Sequence, residues 1–472
     1  MIVLFVSAAL SVMAQDSLYP FLQRDMNLIQ FFHREDMKSL QHAWEKSRDT
    51  SFVILHLGDS HLQNENMPNR SRKLAQQVLG DGGIGLIQPF SIVKTYDARF
   101  YFCEHKGKWD YAKSFMLPPK LPLGVRGMTA RTMDPHASFT IRFSEPPSGS
   151  NNVLTLFCSV GDSSFLPLIY ADSILANLLE IGSDRILFQM PQAFRKITFR
   201  LRSTGEAQKY FSLFGMSLSD KKNKGCIWHN AGVGASQYKS VLYEEKYEEQ
   251  TRYLDPDVVI VDFGTNDFLY SNMIPSGLED EIIQVVEKVR MASPNASIIL
   301  TSAQDMNFKG RNVTAASAFS VLVKSIAQRY HCGFWDWYLI SGGRRTMRLW
   351  DANRLTMNDG IHLNGKGSEL KGELLFRAME QTVDELQENP EMNEWVMEDV
   401  SSADTLSSNV SLGTVDHTLK ANHGHHPEYI RVKYGQSLSV IAARHRMSVS
   451  ELKRINGLRS DRIRAGRKLR VR

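Results

Sequence analysis

Ser60 follows Gly58-Asp59 at the end of the apolar run Phe52-Val53-Ile54-Leu55-His56-Leu57, and Asp359 and His362 stand three positions apart in Asn358-Asp359-Gly360-Ile361-His362. Such residues can cleave an ester. A serine hydroxyl is a weak nucleophile until a base takes its proton. Histidine suits that task because its pKa lies near neutral. A carboxylate then holds the ring in the right tautomer and stabilises the imidazolium. Asp359 and His362 can meet within one loop, whereas Ser60 must be brought to them by the fold. The tetrahedral intermediate carries a negative oxygen that needs fixed donors. Ser60 N–H, a glycine N–H from Gly232-Val233-Gly234, and the Asn266 amide in Gly264-Thr265-Asn266-Asp267 are the candidates. Each piece also has a plain reading: a helix cap at Ser60, turn glycines, an Asn in a β-turn, an Asp-Gly turn, a surface His. Four pieces in this order, each at a strand end or adjoining loop, outweigh those readings.

The elements that must position these residues follow from pattern. Phe52 to Leu57 reads as a short buried strand. Gly58 permits a sharp turn, and Gln63 to Leu79 has helix-forming composition. Ser60 therefore lies where strand gives way to helix, with its N–H near a positive helix end. An amphipathic stretch around Leu28 to Trp44 predicts a helical lead-in. Asp257 to Phe263, Ser297 to Thr301 and Gly333 to Asp336 read as further strands. Leu278 to Ala292, Thr314 to Tyr330 and Gly365 to Leu386 read as helices. This alternation predicts an α/β fold with a parallel sheet covered by helices. Ligand sites in such sheets lie at the carboxyl ends of the strands, where Ser60 and Asn266 fall.

From about Ser91 to Lys224 the character changes. Ser138 to Phe143, Asn152 to Phe157 and Lys196 to Leu201 are rich in β-branched and aromatic residues, several in alternation with polar ones. Short strands at this spacing predict a β-sandwich inserted into the α/β domain. Carbohydrate binding, a lid and a purely structural part are all open to it. Asp81-Gly82-Gly83-Ile84-Gly85 lacks the Lys-Ser/Thr end of a phosphate loop. The four cysteines, Cys103, Cys158, Cys226 and Cys332, form no C-x-x-C pair. Metal binding is not expected of them, and three disulfide pairings or four free thiols remain open.

The chain has 472 residues, too many for one ordinary domain. From Glu428 to Arg472, thirteen Lys and Arg stand against three Asp and Glu, a local net of +10 in a chain of total +5, so the rest is net −5. Such a basic end suggests an anionic partner, whether nucleic acid or an acidic wall polymer, or serves solubility. Ile2 to Met13 is apolar and ends in small residues before Gln15, like a secretory signal peptide without its positive n-region; a buried first helix is the alternative. No later run approaches the roughly 18 apolar residues of a spanning helix. Glu388 to Pro427 is acidic, then Ser/Asn/His-rich, and reads as a linker; His423, His425 and His426 belong to it. Beyond it, Tyr429 to Val432 reads as a strand and Ser437 to His445 as a helix. Ser448-Val449-Ser450-Glu451 opens a second helix with a capping box, and Lys468 to Val471 closes as a strand.

Gly58-Asp59-Ser60, Asn230 to Ala235, Gly264-Thr265-Asn266-Asp267 and Asp359-Gly360-Ile361-His362 together resemble the four blocks of the SGNH (GDSL-type) hydrolase family. His61 stands where that family usually has an apolar residue. The resemblance implies a three-layer α/β/α fold and ester hydrolysis without a metal or cofactor. It implies Ser60 as nucleophile, His362 as general base and acid, and Asp359 as orienting carboxylate. Ser60 N–H, Gly234 N–H and Asn266 would form the oxyanion hole. Val432 to Leu438, Ile441-Ala442, Ile455 to Leu458 and Ile463 to Leu469 resemble a LysM domain, a small α+β unit of βααβ order. That resemblance implies binding to N-acetylglucosamine-containing glycans, chiefly peptidoglycan, which also accommodates the basic charge without nucleic acid. An SGNH domain with a β insert is similar to peptidoglycan O-acetylesterases. The expected organisation is a signal peptide over 1–14, SGNH hydrolase parts over 15–90 and 226–387, an inserted β-sandwich over 91–225, a linker over 388–427 and LysM over 428–472. The expected protein is an exported, periplasmic or wall-associated esterase that removes O-acetyl groups from a glycan through an acetyl-serine. An esterase for another polysaccharide or a lipid, and a wall-binding scaffold without turnover, are the alternatives.

Overall fold

The structure is a computed structural model. It describes residues 18–396 apart from 96, 97, 221, 223 and 271, and residues 429–471 apart from 433–437, 439, 440, 443, 444, 446, 459–462 and 464–466. The expected signal peptide, the three linker histidines and most of the first helix of the C-terminal unit fall outside the described residues.

A five-stranded sheet carries the fold, in the order Gly225–Gly232, Ser51–Gly58, Val258–Asp262, Ser297–Thr301, Gly333–Trp335. Every neighbouring pair is parallel. Ser51–Gly58 is buried almost throughout, as a central strand covered on both faces must be. Alternate side chains face opposite layers. Leu55, Leu57, Val259, Val261, Ile298 and Leu300 pack against Ile282, Val285 and Val289 of helix Leu278–Ala292 and Phe319 and Val323 of helix Ala315–Arg329. On the other face Phe52 meets Trp44, which stacks on Phe376 of helix Gly365–Glu388.

Two departures from expectation have local causes. The lead-in helix is confined to Lys38–Lys46 after a 3₁₀ turn at Arg34–Met37. Leu28 to Phe32 are instead buried and extended, with Gln30 bridged to Phe334 of the edge strand. The helix expected from Gln63 starts later. Ser60–Gln63 is a single turn, Glu65 takes a left-handed φ of 65°, and the regular helix is Asn66–Leu79.

Between the first two strands of the parallel sheet, the chain forms two antiparallel sheets. One runs Asn177–Ile181, Arg185–Gln189, Val153–Cys158, Phe211–Ser219, Met128–Thr132, Asp110–Lys113, with Gly85–Ile87 also paired to Phe211–Ser219. The other runs Tyr101–Lys106, Ser138–Phe143, Lys196–Arg202, Leu166–Ala171, Ile174–Leu175. Their shared core includes Phe139 stacked on Phe199 at 4.5 Å. None of the four cysteines is in a disulfide, and burial pushes the Cys332 thiol up to about 12.

In the C-terminal unit, strands Tyr429–Arg431 and Lys468–Arg470 pair antiparallel beside helix Val449–Ile455. Ser448 Oγ accepts from Glu451 N at 3.1 Å, which satisfies one open donor of the first turn. At the other end Asn456 reaches the backbone of Arg470, donating to its carbonyl at 2.8 Å and accepting from its N–H at 2.6 Å. Val432, Leu438, Ile441, Leu452 and Leu469 form its core.

Candidate active site

The site is assembled where the strands Ser51–Gly58 and Gly225–Gly232 end side by side, with Gly58 opposite Gly232. The turn Ser60–Gln63 lies directly on both glycines. A Cβ at Gly58 would come within 2.5 Å of Leu62 Cδ1 and 2.7 Å of Asp262 O, and one at Gly232 within 2.8 Å of Gln63 N. Any side chain at either position would lift the turn that carries Ser60. Asp59, not Ser60, is the cap: its Oδ1 accepts from His61 N at 2.9 Å. Ser60 is thereby left half-buried, with its hydroxyl free of the cap.

The fold spans the 302 positions from Ser60 to His362 and sets Ser60 Oγ 2.7 Å from His362 Nε2. His362 Nδ1 lies 2.6 Å from Asp359 Oδ2. A carboxylate can only accept, so Nδ1 carries the proton and Nε2 accepts from the serine hydroxyl. Asp359 Oδ1 also accepts from Ile361 N and His362 N, each at 2.9 Å. Burial tends to raise the Asp359 carboxyl, but these bonds from His362 and Ile361 outweigh it and hold the group below its usual range. Burial first, then the nearby His61, lower His362 against the pull of Asp359. A ring so placed stays unprotonated to lower pH than a free imidazole.

The expected oxyanion donors are less simply disposed. Gly234 N–H donates to Gln63 Oε1 at 2.6 Å, so this donor is engaged by a side chain. Asn266 Nδ2 donates to Ser236 O at 3.0 Å. Its second hydrogen has only a 3.5 Å contact with Asp59 Oδ2, and an amide nitrogen carries two. Asp267 braces this turn by accepting from Gly264 N at 3.1 Å and Tyr238 N at 3.0 Å. Burial pushes its carboxyl up to about 7.

Several groups near the site carry no sequence signal. Arg126, fully buried, donates to Gly232 O at 2.8 Å, and Ser114 Oγ meets Ser236 Oγ at 2.8 Å. Thr95 Oγ1 accepts from Gln63 Nε2. The segment rich in antiparallel strands therefore touches the strand end at Gly232, the turn that holds Ser236 and the turn that ends at Gln63. Beneath the serine turn, Lys371 Nζ lies 2.7 Å from Asp262 Oδ2, and Thr301 Oγ1 donates to Asp262 Oδ1 at 2.7 Å. Among the described residues no group of three or more His, Cys, Asp or Glu gathers as a metal site, and no helix is long and apolar enough to cross a membrane.

The GDSL-like lipase/acylhydrolase family matches residues 197–370. That span holds Gly234, Asn266, Asp359 and His362; Ser60 lies before it. The LysM domain family matches residues 430–472. No curated protein matches the chain in sequence. Among solved structures, a peptidoglycan O-acetylesterase superposes over 75% of this chain and 99% of its own, at 18% identity and a TM-score of 0.61. A family two carbohydrate esterase from Cellvibrio japonicus aligns over 61% of this chain and 99% of its own, at 12% identity and a TM-score of 0.25. The first shares the fold. The chain thus carries a serine-esterase domain of the GDSL-like lipase/acylhydrolase family and, at its C-terminal end, a LysM domain.

Proposed function

We propose that the protein is an exported esterase that removes O-acetyl groups from peptidoglycan, with its LysM domain holding it on the same polymer. The reading rests above all on the hydrogen-bonded line from Ser60 Oγ through His362 to Asp359 in a chain that also carries a LysM domain. The shared fold with a peptidoglycan O-acetylesterase supports it. In this reading residues 1–14 are a signal peptide and 15–90 with 226–387 the catalytic domain. Residues 91–225 are an inserted β-sandwich, 388–427 a linker and 428–472 the glycan-binding unit.

Ser60 Oγ attacks the acetyl carbonyl while His362 Nε2 takes its proton. His362 returns that proton to the departing sugar oxygen, leaving acetyl-Ser60. Water then attacks the acetyl carbon while His362 takes its proton, and as the bond to Ser60 Oγ breaks that proton passes to the serine oxygen and acetate leaves. Asp359 steadies the imidazolium in both halves. Ser60 N–H, Gly234 N–H and Asn266 Nδ2 bind the oxyanion. For Gly234 this requires Gln63 Oε1 to yield its hydrogen bond, whereas Asn266 has a hydrogen to offer as it stands. Asn266→Ala should therefore cost about 10²–10³ in kcat with little change in KM, because this donor acts mainly in the transition state. A large rise in KM alone would make Asn266 a residue that positions the substrate.

Mass spectrometry of O-acetylated peptidoglycan before and after treatment tests the substrate. Loss of acetyl groups is expected, and an unchanged polymer with rapid hydrolysis of p-nitrophenyl acetate would move the activity to another ester. Removing residues 428–472 should spare the small ester and slow attack on intact sacculi, since tethering raises local concentration without touching the chemistry. Binding of the full chain to sacculi should survive high salt and yield to soluble N-acetylglucosamine oligomers. Binding that vanishes in salt and ignores the oligomers would leave only a charged tail.

A further inference from the structure

A second Asp–His pair stands against the first. His61 Nδ1 lies 2.9 Å from Asp59 Oδ1, and the His61 ring faces that of His362 at 5.0 Å between centroids and 31° between planes. His61 is 7% exposed and Asp59 1%, so little water screens either. The far side of the ring meets a fixed acceptor. His61 Nε2 is 3.4 Å from Ile361 O and 3.3 Å from Gln304 Nε2. Gln304 is oriented by its other contacts: Nε2 donates to Ile361 O at 2.6 Å, and Oε1 accepts from Trp337 Nε1 at 3.1 Å. An amide nitrogen carries two hydrogens and accepts none, so a neutral Nε2 would take the second Gln304 hydrogen, whereas a protonated Nε2 can give its own hydrogen only to Ile361 O. The buried Asp59 carboxylate at 2.9 Å favours the protonated ring, and in that state His61 donates to Asp59 at one end and to Ile361 O at the other. Ile361 is the residue before His362, inside the loop that presents the Asp359–His362 pair.

We propose that His61 is a positioning residue: held by Asp59, it carries a positive charge against the face of His362 and fastens the Asp359–His362 loop through the Ile361 carbonyl. The inference rests on the reading of His362 as the catalytic base. The charged groups around His61 favour this state. Burial alone opposes the imidazolium, and Asp59 overrides it by charge and hydrogen bond, so His61 lies above its ordinary pKa. Lys371 opposes and Asp262 favours the charge; they are paired to each other at 2.7 Å, so their effects largely cancel. His362 itself faces His61, Asp359 and Asp59. A positive neighbour makes a second protonation harder, so the base stays free for catalysis in mildly acidic solution.

Removing the charge should raise the pKa of His362 and move the acid limb of the kcat/KM profile upward. His61→Asn keeps a side-chain N–H for Asp59 and removes the positive ring. The limb is expected to rise by about half to one pH unit, while kcat on its upper plateau changes by less than about threefold. A folded variant, judged by an unchanged melting temperature, with an unmoved limb would overturn the proposal. If His61 only fastened the loop, the plateau would fall at every pH and the limb would stay where it is; Gln304 keeps its own 2.6 Å bond to Ile361 O in the variant, so little of the plateau should be lost. The wild-type protein offers a test that needs no variant: ring nitrogen signals followed by NMR should show His61 losing its proton at higher pH than His362. A neutral His61 across the whole acid limb would also reject the charge. Activity that survived Ser60→Ala would reject the underlying assignment, and the proposal with it.

Discussion

Ser60→Ala and His362→Ala are each expected to lower kcat on a small ester by about 10³-fold or more, and the double variant to lose little beyond either one. A nucleophile and its base act as one unit, so removing one member disables the other. The geometry makes the kinetic effect separable from stability. Ser60 is half-buried at an open turn and its hydroxyl meets His362, so deleting Oγ leaves no core cavity. Asp359→Asn should cost as much or less, by letting the ring adopt the wrong tautomer. Part of that loss would come from the loop, because Asp359 Oδ1 also gathers the Ile361 and His362 amides. Steady-state kinetics with circular dichroism on each variant would check this. Near-full activity in Ser60→Ala would sink the central assignment.

Lys371→Met is expected to destabilise the catalytic unit by about 3–5 kcal/mol, since it leaves Asp262 buried without its cation. Both side chains are about 5% exposed or less, and their contact is 2.7 Å. Burial acts to raise Asp262, but Lys371 first and then His56 hold it far below the carboxylate range. A depressed carboxyl pKa contributes stability that is complete above the unfolded value and is lost only as pH falls through the folded one. The wild-type contribution of this pair should therefore persist through mild acid. In Lys371→Met the sign reverses. Asp262 would be raised by burial, and the penalty would grow as pH rises from acid to neutral. His56, 3.6 Å away, could take a proton and keep the loss near the lower figure. Urea unfolding at pH 4.5 and pH 7 measures both the size and the trend. Equal stability of variant and wild type at pH 7 would mean that the pair contributes nothing net.

Why some of this was legible in sequence and some not has a physical basis. The parallel strands are continuous apolar runs because both faces are covered, and a run such as Val53 to Leu57 stands out. Asp359 and His362 meet within one turn of chain, so spacing alone exposes the pair. The strands Ser138–Phe143 and Lys196–Arg202 show themselves by alternation, one face in the sandwich core and one in water. Lys371 gave no such sign: one lysine in a helix usually reads as solvated, and its partner is 109 positions away. Arg126 and Gly232, and Gln63 and Gly234, are likewise joined only by the tertiary fold. The lead-in helix is present only over Lys38–Lys46, because Leu28 to Phe32 place their apolar residues on buried, non-helical backbone, where periodicity mimics a helix. The start of the helix after Ser60 was misplaced because the left-handed Glu65 interrupts it, and nothing in local composition demands that.

The position of the central strand has a consequence for how the chain matures. Ser51–Gly58 pairs on one side with Gly225–Gly232 and on the other with Val258–Asp262. During synthesis it therefore emerges long before either partner exists. At 5–20 residues per second, roughly 10–30 s separate its appearance from that of its first neighbour. The antiparallel sheets in between are closed by pairing of Gly85–Ile87 with Phe211–Ser219, which draws the two ends of the interval together. Once that zipper forms, the long loop joining the central strand to its neighbour has effectively been shortened. Until then an unpaired, largely apolar strand is exposed in the nascent chain, so handling by a holdase chaperone would matter most in that interval.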